Sequence, residues 1–193
     1  MISEKIKKIK REFYIEASAK YFEEFGYENA KIADLAKSLD VSVGTLYKMF
    51  DTKENLYFEY IVYQLNSFVK KLNENSTDDP MFNLKLYLQY KYKPFINNRK
   101  SMEYKLTNDP FFFHKMNMNT YHPMDGVYEY LEKQLRPILN NDNLDYKHLA
   151  ILFKKLADGY TESYMIKKFN TDHIVEETIN IFFNGITKYS KKH

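Results

Sequence analysis

Cysteine is absent from this chain of 193 residues, which excludes disulfide scaffolds, iron–sulfur clusters, thiol nucleophiles and cysteine-ligated zinc. Glycine and proline are scarce, with five of each. Sandwiches and barrels need many short turns, so this scarcity points to long helices. No apolar run approaches the ~18–20 residues that span a bilayer, and the Lys-rich N-terminus is not followed by an apolar signal core. The chain is expected to be soluble and cytoplasmic. Arginine is rare too: of 29 basic residues only Arg11, Arg99 and Arg136 are Arg, and the net charge of +3 is too small for a basic nucleic-acid coat. Catalytic signatures are missing as well. No Gly-rich phosphate loop, serine nucleophile elbow or HExxH occurs, so the sequence does not read as an enzyme.

What is present is helical periodicity. Tyr14, Ser18, Tyr21, Phe22 and Phe25 form one apolar stripe at helical spacing, with Glu16, Lys20, Glu23 and Glu24 between them, and Gly26 ends it. Ile32, Leu35, Ala36 and Leu39 mark a short second helix. Asp40-Val41-Ser42 breaks that pattern: Asp tolerates a left-handed turn, and Ser42 suits the N-cap of a third helix carrying Leu46 and Phe50. Asp51-Thr52-Lys53-Glu54 reads as a capping box opening a fourth helix that runs to about Leu72. A polar loop fills 73–80, and helices follow near 81–97 and 100–107. The aromatic–Met segment Phe111–Met118 comes next, then a helix over 124–139, a loop at 140–143, and two long helices near 144–169 and 172–190. The expected fold is all-α: an N-terminal three-helix helix-turn-helix domain (1–52), then a larger helical domain (53–193). The 18 Tyr and 15 Phe include some excess expected from AT-rich codons, which also favour Lys, Asn and Ile.

Two short helices joined by a tight turn describe a helix-turn-helix, whose second helix must present small and polar residues to base edges. Val41, Leu46 and Phe50 face inward on this reading, leaving Val43, Gly44, Thr45, Tyr47 and Lys48 outward or flanking. Such pairs also occur in proteins that never touch DNA. The residues Ala17, Phe22, Gly26-Tyr27, Ile32-Ala33-Asp34-Leu35-Ala36, Val41-Ser42-Val43-Gly44-Thr45-Leu46-Tyr47, Phe50 and Lys53-Glu54-Asn55-Leu56-Tyr57 go further. Over about residues 9–57 this pattern resembles the DNA-binding domain of the TetR (tetracycline repressor) family. It departs from that family at Ala30 and Lys31, where a Thr pair usually opens helix 2, and at Asp40, where Gly commonly precedes the Val-Ser of the turn.

The resemblance implies a homodimeric transcriptional regulator, a repressor released from a pseudo-palindromic operator by a small-molecule ligand. Val43, Gly44 and Thr45 would meet base edges, with Ser42 at the helix cap. Tyr47, Lys48, Lys53 and Lys31 would contact phosphates. Lys5, Lys7, Lys8, Lys10 and Arg11 form an N-terminal arm that either tracks DNA or is a solvated terminus. Residues 1–55 hold ten basic and ten acidic side chains, so attraction to DNA must come from a local basic face. In the second domain the candidates for a ligand pocket are Tyr87, Tyr90, Tyr104, Phe112, Phe113, His114, Met116, Tyr128, Tyr160 and Tyr164. The Phe111–Met118 segment reads equally well as a core plug. Phe153, Ala157, Gly159, Tyr160, Ile179, Phe182, Phe183 and Ile186 are the expected dimer contacts, where Gly159 would permit close helix approach. Asp158 and Glu162 suit a cationic ligand or a solvated face, the latter being preferred. His114 and His122 lack a carboxylate pattern around them, so neither a metal nor a cofactor is expected. The alternative reading is a helical interaction protein that retains the domain without specific DNA binding.

Overall fold

The computed structural model describes residues 2–97 and 124–190, with side chains at 4–93 and 124–185. Among these residues there are eight helices and no strand. They are α1 (Ile2–Asn29), α2 (Ile32–Ser38), α3 (Val43–Phe50), α4 (Lys53–Asn75), α5 (Pro80–Asn97), α6 (Asp125–Leu139), α7 (Tyr146–Ile166) and α8 (Ile174–Ser190). The helix expected at 100–107 lies outside the described residues. The chain divides into two compact units, with residues 53–67 of α4 in the first and 68–75 in the second.

In the first unit, helix formation begins earlier than the apolar stripe suggests. The basic arm is the first three turns of α1. Lysines are good helix formers, and a helix already nucleated by the packed segment behind them extends at little cost. The buried stripe of α1 is centred on Ile15, Ser18, Ala19 and Phe22. Phe25 is therefore rotated out: it is 41% exposed and lies tilted against Tyr21, ring centres 4.7 Å apart. Gly26 breaks the helix with φ 69° and ψ 170°, a backbone state that disfavours any Cβ. Phe22, Leu35, Ala36, Leu46, Phe50, Leu56, Tyr57 and Tyr60 complete one core.

Arg11 is a structural residue rather than part of a free arm. Its guanidinium donates to both carboxylate oxygens of Glu59 on α4, the Nε bond measuring 2.7 Å, and to the Met49 carbonyl of α3. It also lies 4.6 Å from the centre of the Phe50 ring. One side chain thus joins three helices.

In the second unit α6 and α7 pack closely, and α5 and α8 complete the bundle. Leu84, Leu88, Leu131, Leu135, Ala150, Phe153 and Ala157 are buried at its centre. Polar groups inside are paired. Asn83 donates to Gln134 Oε1 at 2.9 Å and clasps the Thr77 backbone, while the Tyr92 hydroxyl and Thr178 Oγ1 lie 2.9 Å apart. Asp145 caps α7 by accepting from the His148 amide, and Asn140 takes the left-handed conformation that ends α6. Among the described residues no helix is long and apolar enough to cross a membrane.

Candidate nucleic-acid interface

The turn between α2 and α3 is built by backbone hydrogen bonds that any sequence can make, plus one residue that accepts positive φ. The Val41 amide bonds the Ala36 carbonyl at 3.0 Å and the Asp40 amide bonds the Lys37 carbonyl at 3.2 Å. This is the Schellman pattern, with Asp40 at the left-handed position, φ 53°. Asp replaces Gly there because its short polar side chain tolerates that region. The chain then runs extended into Ser42, φ −74° and ψ 149°, whose Oγ accepts from the Thr45 amide at 3.1 Å. Ser42 Oγ and Thr45 Oγ1 are also hydrogen-bonded, at 2.8 Å. Ser42 is therefore committed to starting the helix, and the Thr45 hydroxyl is held in a set direction.

Period and packing divide α3 into two faces. Leu46 and Phe50 are 2% exposed each and lie in the core. Gly44, Tyr47 and Lys48 face out, Tyr47 being 45% exposed, while Val43, at 36%, sits at the edge. A Cβ on Gly44 would meet nothing nearer than Ser42 Oγ, at 3.7 Å. Folding therefore has no need of glycine here, and the missing side chain opens the outer face. A shallow cleft beside the turn is lined by Ala33, Ala36, Lys37, Asp40, Val41, Ser42 and Val43.

The other predicted contacts are placed differently. Lys31 is exposed and stands at the N-cap position of α2, extended, with no side-chain cap. Ala30 beside it is 3% exposed, so its methyl belongs to the core. Lys53 opens α4, but its ammonium lies 4.4 Å from the centre of the Tyr27 ring. Tyr27 in turn donates to Glu54 Oε1 at 2.6 Å. That hydrogen bond holds the Glu54 carboxyl below its usual range, and burial followed by Glu54 raises the Tyr27 hydroxyl. The N-cap of α4 is Thr52, which accepts from the Asn55 amide at 3.1 Å, and Asp51 sits one residue earlier at φ 62°. The N-cap is thus Thr52 rather than Asp51, and the Glu54 carboxylate of the expected capping box accepts from Tyr27. The whole stretch 31–54 carries four Lys and four acidic residues. Attraction therefore depends on where Tyr47 and Lys48 stand, not on bulk charge.

Residues 15–60 match the family model described as bacterial regulatory proteins, tetR family. The match contains the whole turn, the outer face of α3 and the start of α4. Over these residues the chain is similar to the tetR family. An HTH-type transcriptional regulator of Staphylococcus aureus is 36% identical over 63 residues, a third of this chain and of that protein alike (33% and 34%). At full length the likeness is one of fold. The fatty acid degradation regulator FadR from Bacillus halodurans aligns with 90% of this chain and 94% of its own, at 21% identity and a TM-score of 0.65. FadR of Thermus thermophilus, a TetR family repressor solved with lauroyl-CoA, aligns with 91% of this chain and 94% of its own, at 13% identity and 0.65.

Outside the match, the TetR-like chain places its predicted ligand and dimer residues unevenly. Tyr104, Phe112, Phe113, His114 and Met116 lie outside the described residues, and the Ile186 side chain is not described either. Tyr87 is buried and Tyr128 half-buried, and both hydroxyls are raised by burial and then by the charge of Asp158. Tyr90 lies under the Lys71 ammonium, 4.8 Å from the ring centre. Tyr160 and Tyr164 pack edge-on against Phe169, and the Tyr160 hydroxyl is raised by burial and then by Glu177. Phe153 and Ala157 are 0% exposed, and Ile179 and Phe182 are under 10%. These four side chains are core of their own protomer, since α7 and α8 turn that stripe inward. Exposed instead on α7 are Leu152, at 45%, and Ile166, at 89%, with Gly159 between them facing open space. On α8 they are Ile181, at 50%, and Gly185. Asp158 is no solvated face: it is held between Lys91 and Lys154, whereas Glu162 is exposed. Sequence reading missed both the Arg11 clasp and this charged cluster, whose partners are 48 and 67 residues apart.

Proposed function

We propose that this TetR-like chain is a DNA-binding transcriptional regulator that represses as a homodimer and is released from a palindromic operator by a small-molecule ligand. The observation that carries the reading is the outer face of α3. Gly44, Tyr47 and Lys48 point away from a core that needs none of them, while Ser42 and Asp40 hold the helix in place by local hydrogen bonds. In this reading Val43, Gly44 and Thr45 meet base edges. Tyr47, Lys48, Lys53 and Lys31 meet phosphates, Lys53 after leaving the Tyr27 ring.

Dimerisation is assigned to the outward faces of α7 and α8. Leu152, Gly159 and Ile166 recur every seven residues along one line of α7, and Ile181 and Gly185 are exposed on α8. Glycines with open space above them permit backbones to approach closely. The ligand is assigned to the second unit, in keeping with the small molecule held by the Thermus thermophilus fold neighbour. Residues 1–52 then act as the DNA-binding domain and 53–193 as the ligand and dimer domain. Ligand can release DNA only through unequal affinity for the DNA-competent and incompetent states.

The test is selection of binding sites from a random duplex library, followed by affinity measurements at several salt concentrations. The expected winner is an inverted repeat bound by a dimer. With about eight phosphate contacts per dimer, the log–log salt slope is expected near −7. A folded dimer that enriches no sequence, or binds with a slope near zero, overturns the operator reading in favour of the helical interaction protein.

A further inference from the structure

The second unit contains three charged side chains whose charges do not balance. Asp158 and Lys154 stand one turn apart on α7, and Lys91 reaches them from α5. Lys91 Nζ donates to Asp158 Oδ1 at 2.6 Å, and Lys154 Nζ donates to Oδ2. The three side chains are 18%, 14% and 16% exposed. Asp158 is the one carboxylate paired with either ammonium among the described residues. Among the described residues, two cations and one anion leave one positive charge in surplus in a largely dry place.

Stability does not account for this arrangement. A single lysine would satisfy Asp158, and a second buried ammonium repels the first while losing its own hydration. The strain is visible on Lys154, whose ammonium is held below its usual range by burial, with Lys91 adding to it despite the opposing pull of Asp158. A second, independent feature is nearby. Tyr87 is 2% exposed and feels the charge of Asp158. Its ring is packed between Phe68 and Phe153, centres 5.9 and 6.0 Å away, which fixes the direction of its hydroxyl.

We infer that Lys91, Lys154 and the Tyr87 hydroxyl form a binding site for the carboxylate of a small organic acid. One surplus positive charge matches one carboxylate. A phosphate monoester would carry about −1.5 to −2 and overcompensate it. Asp158 keeps the two ammoniums apart and oriented while the site is empty, and so acts as a positioning residue.

The inference rests on the reading that the second unit holds a small molecule, and it is tested without DNA. Acetate, hexanoate and benzoate are titrated against the full-length protein, each beside its neutral amide, by calorimetry and thermal melting. At least one acid is expected to bind and raise the melting temperature while its amide does not. Because hydrogen bonds to charged groups are being removed, Lys154→Gln and Lys91→Gln are each expected to weaken that acid about tenfold or more. Lys154→Met serves where the Gln variant fails to fold. Asp158→Asn raises the surplus charge to two and is expected to tighten the acid, whereas a purely structural cluster gives no tightening. No binding by any of the three acids, equal binding by the amides, or indifference to Lys154 overturns the site. Loss of the acid site with an enriched operator leaves the regulator reading intact; acid binding without any operator does the reverse.

Discussion

The two units of this chain use polar side chains in opposite ways. In the first, most charges stand on the surface, and the buried set is apolar or aromatic apart from the Ser18 hydroxyl. Its few partly buried polar contacts, Arg11 with Glu59 and Tyr27 with Glu54, fasten helices together. In the second, polar and charged groups are placed inside: Asn83 with Gln134, Tyr92 with Thr178, and Asp158 between two lysines. On the proposed function, the first unit meets a duplex with its exterior and needs only an inert core. The second recognises something within itself and needs chemistry in its interior, where low dielectric strengthens each contact and makes each mismatch costly.

The sharpest way to break this comparison is at Phe153, which was expected at a dimer contact and lies in the core. Phe153→Ala is expected to cost about 3–5 kcal/mol of protomer stability. The check is denaturant unfolding at several protein concentrations, where the deficit should not depend on concentration. A change confined to the dimer dissociation constant would return Phe153 to the interface. The next effect belongs to the first unit. Arg11→Ala removes the clasp of three helices and is expected to cost about 2 kcal/mol, allowing for its partial exposure. Lys10→Ala, on the exposed side of the same helix, is expected to change stability by less than about 0.5 kcal/mol. Equal losses for the two in urea titrations would show that the clasp contributes little.

Gly44 produces a smaller change in stability than Phe153 or Arg11, and the most informative one. Gly44→Ala in a helix with open space is expected to stabilise the free protein by about 0.5–1 kcal/mol. The same substitution is expected to weaken operator binding, since it adds a methyl where backbone meets bases. Thermal melting and binding titrations on the selected site measure the two signs separately. Stabilisation with unchanged DNA affinity would mean that α3 does not approach DNA closely at this position.

Much of the first unit is legible because its signals are local. Ser42 and Thr45 are three residues apart, Asp40 ends the helix before it, and Leu46 and Phe50 share a face by period alone. Where local reading slipped, a distant residue was responsible. The cap of α4 is Thr52 rather than Asp51, and Glu54 of the expected box is taken by Tyr27, 27 positions away. The basic arm lost Arg11 to Glu59, 48 positions away. In the second unit the helices were legible to within a few residues, but their faces were not. Residues that are apolar around more than one side give no sign of which stripe turns inward, and so Phe153, Ala157, Ile179 and Phe182 were expected at a partner and lie in the core.

By itself the sequence determined the helical class, the turn at residues 40–42, the cap at Ser42, and the division of α3 into a buried and an exposed face. Each of these follows from backbone hydrogen bonding and a 3.6-residue period, which operate over a few neighbouring positions. Tertiary structure alone decided which helix faces are buried, that Arg11 fastens rather than reaches, and that two lysines share one aspartate inside the second unit. Those outcomes depend on side chains brought together from distant parts of the chain, where burial reverses the cost of a charge, and no spacing along the sequence records them.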